Sequence, residues 1–105
     1  MKILFDQGTP APLRSWLGRH TVVTAYEIGW DKLSNGELIH SAESEGFDLL
    51  LTTDKNLKYQ QNLASRKIAI VVLLSTNWPK MQTRVLEVSA AIDGTPPGAY
   101  LEIPI

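Results

Sequence analysis

The chain has 105 residues, of which 44% are hydrophobic and 20% are charged. This length and composition predict a single globular domain over residues 1–105 with one modest core. The net charge of −1 excludes a globally basic surface for nucleic acid, so any contact with a polyanion would be local or mediated by a metal ion. The absence of cysteine excludes disulfides, thiolate metal sites and cysteine nucleophiles.

Membrane insertion and secretion are not indicated by the sequence. No apolar run approaches the ~18 residues that a membrane-spanning helix requires, and the first residues lack the pattern of a signal peptide. We therefore expect a cytoplasmic protein that makes no membrane contact.

Strands and helices are predicted to alternate along the whole chain. Short apolar runs predict strands at residues 2–5, 21–25, 47–52, 68–74 and 99–103. Apolar residues at helical spacing, with cap residues before them, predict helices at residues 9–18 and 34–46, and a last helix that has Thr76 or Asn77 as its N-cap and ends near Ile92. Residues 56–63 predict a short polar helix that is rich in Gln and Asn. This alternation predicts an α/β fold, a three-layer α/β/α domain with a mostly parallel sheet of about five strands. Residues 68–74 form the longest apolar run and are predicted to be the centre of the sheet.

Two of the predicted strands end at an aspartate. Asp6 follows the first strand, and Asp54 follows the third. Because the carboxyl ends of parallel strands meet at one edge of a sheet, these two carboxylates are predicted to lie at the edge where open α/β sheets place their active sites. Each residue also has an ordinary structural interpretation, since Asp6 suits an Asx-turn and Asp54 suits a helix N-cap.

A third acidic residue lies at the start of a predicted helix. Ser34 and Glu37 have the spacing of a capping box, in which the Glu side chain returns to the N-cap amide. The same helix start would also face the strand ends, so Glu37 is either a cap residue or part of a site.

Three carboxylates at one edge would suit a divalent cation. Mg²⁺ and Mn²⁺ prefer carboxylate and water oxygens, and they generate hydroxide and offset charge at a phosphate.

Trp30 and Trp78 lie in predicted loops, where they would either stack on bases or cover the edge of a core.

At these residues the sequence resembles the compact PIN-like proteins of prokaryotes, which are relatives of the ribonuclease toxins of the VapC type. The resemblance covers most of the chain, from the first strand through residues 68–74. In that family the first strand ends in Asp-Glu-Asn, a helix opens with Ser-Asp-x-Glu, and the third strand ends in Thr-x-Asp-x-Asp-Phe. The matching segments here are 6–8, 34–37 and 52–57, and residues 26–30 match the approach to the second motif.

The resemblance implies a PIN-like fold, a carboxylate cluster that binds Mg²⁺ or Mn²⁺, and cleavage of single-stranded RNA. It also implies an antitoxin partner and a homodimer. Carried over to this chain, Asp6, Glu37 and Asp54 match the acidic positions and would be both metal ligands and catalytic residues. Asn56 would be a further metal ligand through its amide oxygen. Asn35 and Asn56 stand where the family pattern has Asp, which removes two negative charges from the site.

Three functional hypotheses therefore remain open. The first is a metal-dependent ribonuclease of a toxin–antitoxin system, with a partly degenerate acidic site. The second is a catalytically inactive PIN-like module that binds a protein or RNA. The third is a phosphoacceptor receiver domain, for which Asp6 and Asp54 have suitable places. Against the third stand Gln7, where receivers have a second acid, and the lack of a convincing lysine after the fifth strand.

Overall fold

The computed structural model describes residues 1–57 and 66–105 of the chain. Within these residues the strands are β1 (Lys2–Phe5), β2 (Thr21–Thr24), β3 (Leu49–Thr52), β4 (Ala69–Leu73) and β5 (Tyr100–Ile103). The helices are a 3₁₀ helix (Ala11–Trp16), α1 (Asn35–Ser44), α2 (Trp78–Gln82) and α3 (Val85–Asp93). The helix predicted at residues 56–63 lies mostly outside the described residues.

The five strands form one sheet in the order β2-β1-β3-β4-β5, and every neighbouring pair is parallel. This confirms the predicted α/β class. Phe5 at the end of β1 pairs with Thr24 of β2 and Leu51 of β3, so these three strands end at the same level. The chain builds outward from β1 to β2 and then returns to β3 on the other side of β1. The boundary between β1 and β3 is therefore the topological switch point, where open α/β sheets bind their ligands.

Helices cover both faces of the sheet, because successive side chains of each strand point to opposite sides. On one face, Ile3 and Phe5 pack with residues of the 3₁₀ helix, α2 and α3. On the other face, Leu4 and Leu50 pack against the inner side of α1. This arrangement gives the three layers that the sequence predicted.

The centre of the sheet differs from the prediction. Residues 68–74 were predicted as the central strand, but β3 is central and β4 lies between β3 and β5. Every residue of β3 and of β4 is buried. A strand with a neighbour on each side and helices on both faces is apolar throughout, so apolar length alone does not distinguish the central strand from the one beside it.

Two predicted helices also differ in detail. The predicted first helix is a 3₁₀ helix, and its N-cap is Pro10 rather than Thr9. The helix predicted to follow an N-cap at Thr76 or Asn77 is divided into α2 and α3, and Asn77 caps α2 by accepting a hydrogen bond from Lys80 N–H at 3.1 Å. Trp78, which was predicted to lie in a loop, is the first residue of α2. None of the helices in residues 1–57 and 66–105 has the length and apolar character needed to cross a membrane.

The outer side of the edge strand β2 is covered by an ion pair. Arg14 Nη2 donates to the Val22 carbonyl at 2.7 Å, and Thr24 N–H donates to Glu27 Oε1 at 2.9 Å. Arg14 Nη1 and Glu27 Oε1 lie 2.9 Å apart. The two side chains therefore form hydrogen bonds with the Val22 carbonyl and the Thr24 N–H, which would otherwise be available for pairing with another strand.

Candidate active site

Asp6 is the first residue beyond β1, and its backbone N–H donates to the Leu51 carbonyl at 3.0 Å. Its carboxylate is surrounded by donors. Oδ1 accepts from Gly8 N–H at 3.1 Å and lies 3.1 Å from the Thr9 hydroxyl, and Oδ2 accepts from the Thr52 hydroxyl. The bond from Gly8 is the Asx-turn that the sequence offered as one interpretation, and it holds the carboxylate at the sheet edge.

Burial raises the pKa of the Asp6 carboxyl above its ordinary value. Hydrogen bonds from Thr52, Thr9 and Gly8 act in the opposite direction, and the charge of Asp54 adds to the increase. The net effect is upward because burial is the largest contribution. Asp6 therefore lies where a negative charge is disfavoured unless a cation accompanies it.

Thr52 connects the two aspartates. It is the last residue of β3 and is buried, and its hydroxyl donates to Asp6 Oδ2 while accepting from the backbone N–H of Asp54 at 3.1 Å. The structure thus brings Asp6 and Asp54 together around one hydroxyl group. Thr52 is the first residue of the matched segment 52–57, but no role was predicted for it, because only the register of β1 against β3 brings its hydroxyl to Asp6.

The carboxylate of Asp54 is held by two asparagines. Oδ1 accepts from the backbone N–H of Asn56 at 2.9 Å, and Oδ2 accepts from Asn35 Nδ2 at 2.7 Å. The first bond is the local turn bond expected of a cap-like Asp. Asn56 was predicted to be a metal ligand through its side chain; in the structure its backbone contacts Asp54, and the residue is exposed.

Asn35 places the start of α1 against the end of β3. An Asp at this position would put two carboxylates next to each other, whereas the Asn35 amide donates a hydrogen bond to the Asp54 carboxylate. Rotation of the Asn35 side-chain amide by about 180° would place its oxygen where its nitrogen now lies. An amide oxygen is an acceptable ligand for a hard cation.

Glu37 forms the capping box that the sequence predicted. The Ser34 N–H and hydroxyl donate to Glu37 Oε1 at 3.1 and 2.8 Å, and Glu37 N–H donates to Ser34 Oγ at 3.3 Å. The hydrogen bonds from the Ser34 hydroxyl and N–H lower the pKa of this carboxyl. Its exposed carboxylate is engaged with Ser34. Among the described residues, no group of three or more acidic or histidine side chains is arranged to hold a metal ion.

A cleft with a volume of about 150 Å³ opens beside Asp6. The irregular segment between β2 and α1 supplies one wall, including Trp30 and Asp31. The lining residues are Asp6, Gln7, Gly8, Ala25, Trp30, Asp31, Leu33, Asn35 and Leu38. Asp31 was not identified from the sequence, since it lies in a segment without periodicity and outside the matched motifs.

A second cleft, of about 350 Å³, lies at the opposite edge of the sheet, beside the amino ends of β3 and β4. Its acidic residues already have partners. Asp48 accepts from Lys2 N–H at 2.8 Å, and Glu43 accepts from Arg66 Nη1 at 3.0 Å and from Lys67 N–H at 2.8 Å. Although this cleft is larger, it is on the side of the sheet that open α/β folds do not use for chemistry.

The carboxylate oxygens of Asp6 and Asp54 at the switch point are suitable ligands for one hard cation that keeps several of its waters. A carboxylate offers about four lone-pair sites. Protein donors occupy at most three on Asp6 and two on Asp54, since the single Thr9 hydroxyl proton has a second acceptor in the Leu51 carbonyl at 2.8 Å. Both carboxylates therefore retain capacity for a ligand. Mg²⁺ and Mn²⁺ bind to few carboxylates and keep several waters, which suits two acids at an open edge. Glu37 accepts both hydrogen bonds from Ser34 in its capping box through Oε1.

No protein-family model, no curated protein and no solved structure matches this chain.

Proposed function

We propose that the chain is a PIN-like ribonuclease that cuts single-stranded RNA with the help of Mg²⁺ or Mn²⁺. The observation that carries the proposal is the pair of carboxylates at the switch point, where Thr52 contacts both Asp6 and the backbone of Asp54. The motif resemblance adds the substrate class. An antitoxin partner and a homodimer belong to the same proposal and are supported by the resemblance alone. The proposed cytoplasmic location is supported by the lack of cysteine and of a long apolar run in the sequence.

In this proposal the residues of the chain have separate tasks. Asp6 and Asp54 hold the cation, which supplies a hydroxide nucleophile and offsets charge on the scissile phosphate when it is bound. The buried Thr52 hydroxyl donates to the Asp6 carboxylate and accepts from the backbone N–H of Asp54, so it joins the ends of the two strands. Asn35 orients the Asp54 carboxylate, and Glu37 secures the helix on which Asn35 lies.

The test is a cleavage assay on end-labelled single-stranded RNA, with and without Mn²⁺, for the parent and Asp54→Asn. The variant keeps the shape of the side chain and removes its charge. We expect cleavage to fall by more than the ~10–100-fold that outer-shell changes cost at metal sites. Glu87→Gln is the matched control, because it removes one exposed charge on the other face of the sheet, and within residues 1–57 and 66–105 that charge is paired only with Arg84. Metal-independent cutting, or equal cutting by Asp54→Asn, would contradict the proposal.

The second candidate is a PIN-like module that binds RNA without cutting it. Two observations favour it: the Asn35 amide donates to Asp54, and Glu37 is engaged by Ser34. Under this alternative, the parent would shift labelled RNA in a native gel in the presence of EDTA. It would also leave the RNA intact with Mn²⁺ present.

The receiver-domain hypothesis agrees with the observed strand order, because flavodoxin-like folds have the same order. It is disfavoured by the site, because Gln7 is the residue after Asp6 and the residue directly after β5 is Pro104. Exposure of the protein to acetyl phosphate, followed by mass measurement, tests it directly. A stable phosphoryl group on Asp54 would restore this hypothesis.

A further inference from the structure

The cleft beside Asp6 contains polar groups that the fold does not use. Within the part of the chain that the structure describes, the side chains of Gln7 and Asp31 make no hydrogen bond or ion pair, and the Trp30 indole N–H has no acceptor. The nearby carboxylates of Asp6 and Asp54, by contrast, are held by several donors each. Groups that are left unpaired around a concave surface are suited to an external ligand.

The size of the cleft limits that ligand to one small ring system. A volume of about 150 Å³ is comparable to a cavity that holds a benzene ring in another protein. Trp30 supplies an aromatic wall, and its ring also contacts Phe47 edge-on, with centroids 6.1 Å apart. That contact fixes the indole in place, which is the property a stacking platform needs.

We propose that this cleft binds an unpaired guanine base of single-stranded RNA and thereby places the adjacent phosphate at Asp6 and Asp54. This inference rests on the proposed function, since it assumes that RNA is the ligand of this sheet edge. Proteins recognise single-stranded RNA by stacking a base on an aromatic side chain and bonding its Watson–Crick edge, and the cleft offers both elements.

The hydrogen-bonding groups of the cleft favour guanine over the other bases. A carboxylate such as Asp31 only accepts hydrogen bonds, and the Watson–Crick edge of guanine presents two adjacent donors, N1–H and N2–H. The Gln7 carboxamide can donate to the neighbouring O6. Uracil would direct a carbonyl oxygen at the carboxylate, and adenine and cytosine would direct a ring nitrogen lone pair at it.

The charges in the cleft also favour a base over a phosphate. Asp6 and Asp31 both line it, so a phosphate placed inside would be repelled by two carboxylates. A neutral base with exposed N–H groups is compatible with them. The phosphate would then lie outside the cleft, where the cation is proposed to bind.

The test uses nucleosides without metal, so that neither the cation nor a phosphate contributes. Guanosine, adenosine, cytidine and uridine are titrated into ¹⁵N-labelled protein in EDTA, and the indole N–H signal of Trp30 is followed after assignment with Trp30→Phe. We expect guanosine to shift this signal at concentrations about tenfold lower than the other nucleosides, as a bidentate contact would give. Asp31→Asn should weaken guanosine binding about tenfold, and Glu87→Gln should leave it unchanged.

The inference is overturned if guanosine does not shift the Trp30 signal, if all four nucleosides bind equally, or if Asp31→Asn binds guanosine as the parent does. Because no metal or cleavage is involved, these outcomes are independent of the nuclease assay. If the protein binds guanosine selectively but does not cut RNA, the proposed guanine site is supported and only the catalytic proposal is rejected. If the protein does cut RNA, its cuts should lie next to guanines in the parent and lose this preference in Asp31→Asn.

Discussion

The half-buried carboxylate of Asp6 has three donors and a charged neighbour, and burial still raises its pKa. A raised pKa in the folded state means that the folded protein holds this proton more tightly than the unfolded chain. The contribution of Asp6 to stability is therefore greatest below the unfolded value of about 3.9 and declines as the pH rises through the folded pKa.

The direction of this pH dependence leads to a prediction for Asp6→Asn, because an asparagine side chain imitates the protonated aspartate. In EDTA, the free energy of unfolding of the parent should fall relative to that of Asp6→Asn as the pH rises from about 4 through the folded pKa. Urea denaturation at several pH values measures the difference between the two proteins. A constant difference across this range would show that Asp6 titrates as an ordinary exposed carboxyl.

At the level of single residues, the sequence identified the positions of Asp6 and Asp54 correctly at one sheet edge. It did not identify their partners. The contact of Thr52 with both aspartates depends on strand register, and the bond from Asn35 to Asp54 joins residues from two separate elements. Neither of these contacts can be recognised from a local sequence pattern, whereas a strand that ends in Asp can.

Among the elements, α1 connects the fold with the site, because its first residue, Asn35, bonds Asp54 and its third, Glu37, closes the capping box. Local chemistry explains this helix well. The Ser34-x-x-Glu37 spacing predicted both the cap and the place of the helix start. The break between α2 and α3 was missed, because the apolar spacing continues across Thr83 and Arg84.

The two interpretations of Glu37 can be separated by variants of the capping box. Gln also completes this motif, so Glu37→Gln should keep the stability of the parent if the residue is only a cap. Ser34→Ala removes the N-cap oxygen and should lower the free energy of unfolding by about 1 kcal/mol. Urea denaturation measures both. If Glu37→Gln is as stable as the parent but loses Mn²⁺-dependent cleavage, then Glu37 has a role at the metal site in addition to its role in the cap.

For the whole molecule, the sequence predicted the layers and the parallel sheet but not the strand order. Alternating strands and helices require parallel connections, whereas the side of β1 on which β3 pairs is decided by long-range packing. That choice creates the switch point between β1 and β3. The convergence of Asp6 and Asp54 is therefore a property of the complete fold, although each residue is visible in its own motif.

The central claim is that Asp6 and Asp54 share one divalent cation, and a Mn²⁺ titration followed by water-proton relaxation tests it most directly. We predict that the parent binds one Mn²⁺ per chain, that Asp6→Asn and Asp54→Asn both lose it, and that Glu87→Gln keeps it. Asn35→Asp should bind more tightly, because a carboxylate replaces the amide that now donates to Asp54. A parent that binds no Mn²⁺ at millimolar concentration, or an Asp54→Asn variant that binds it equally well, would contradict the claim.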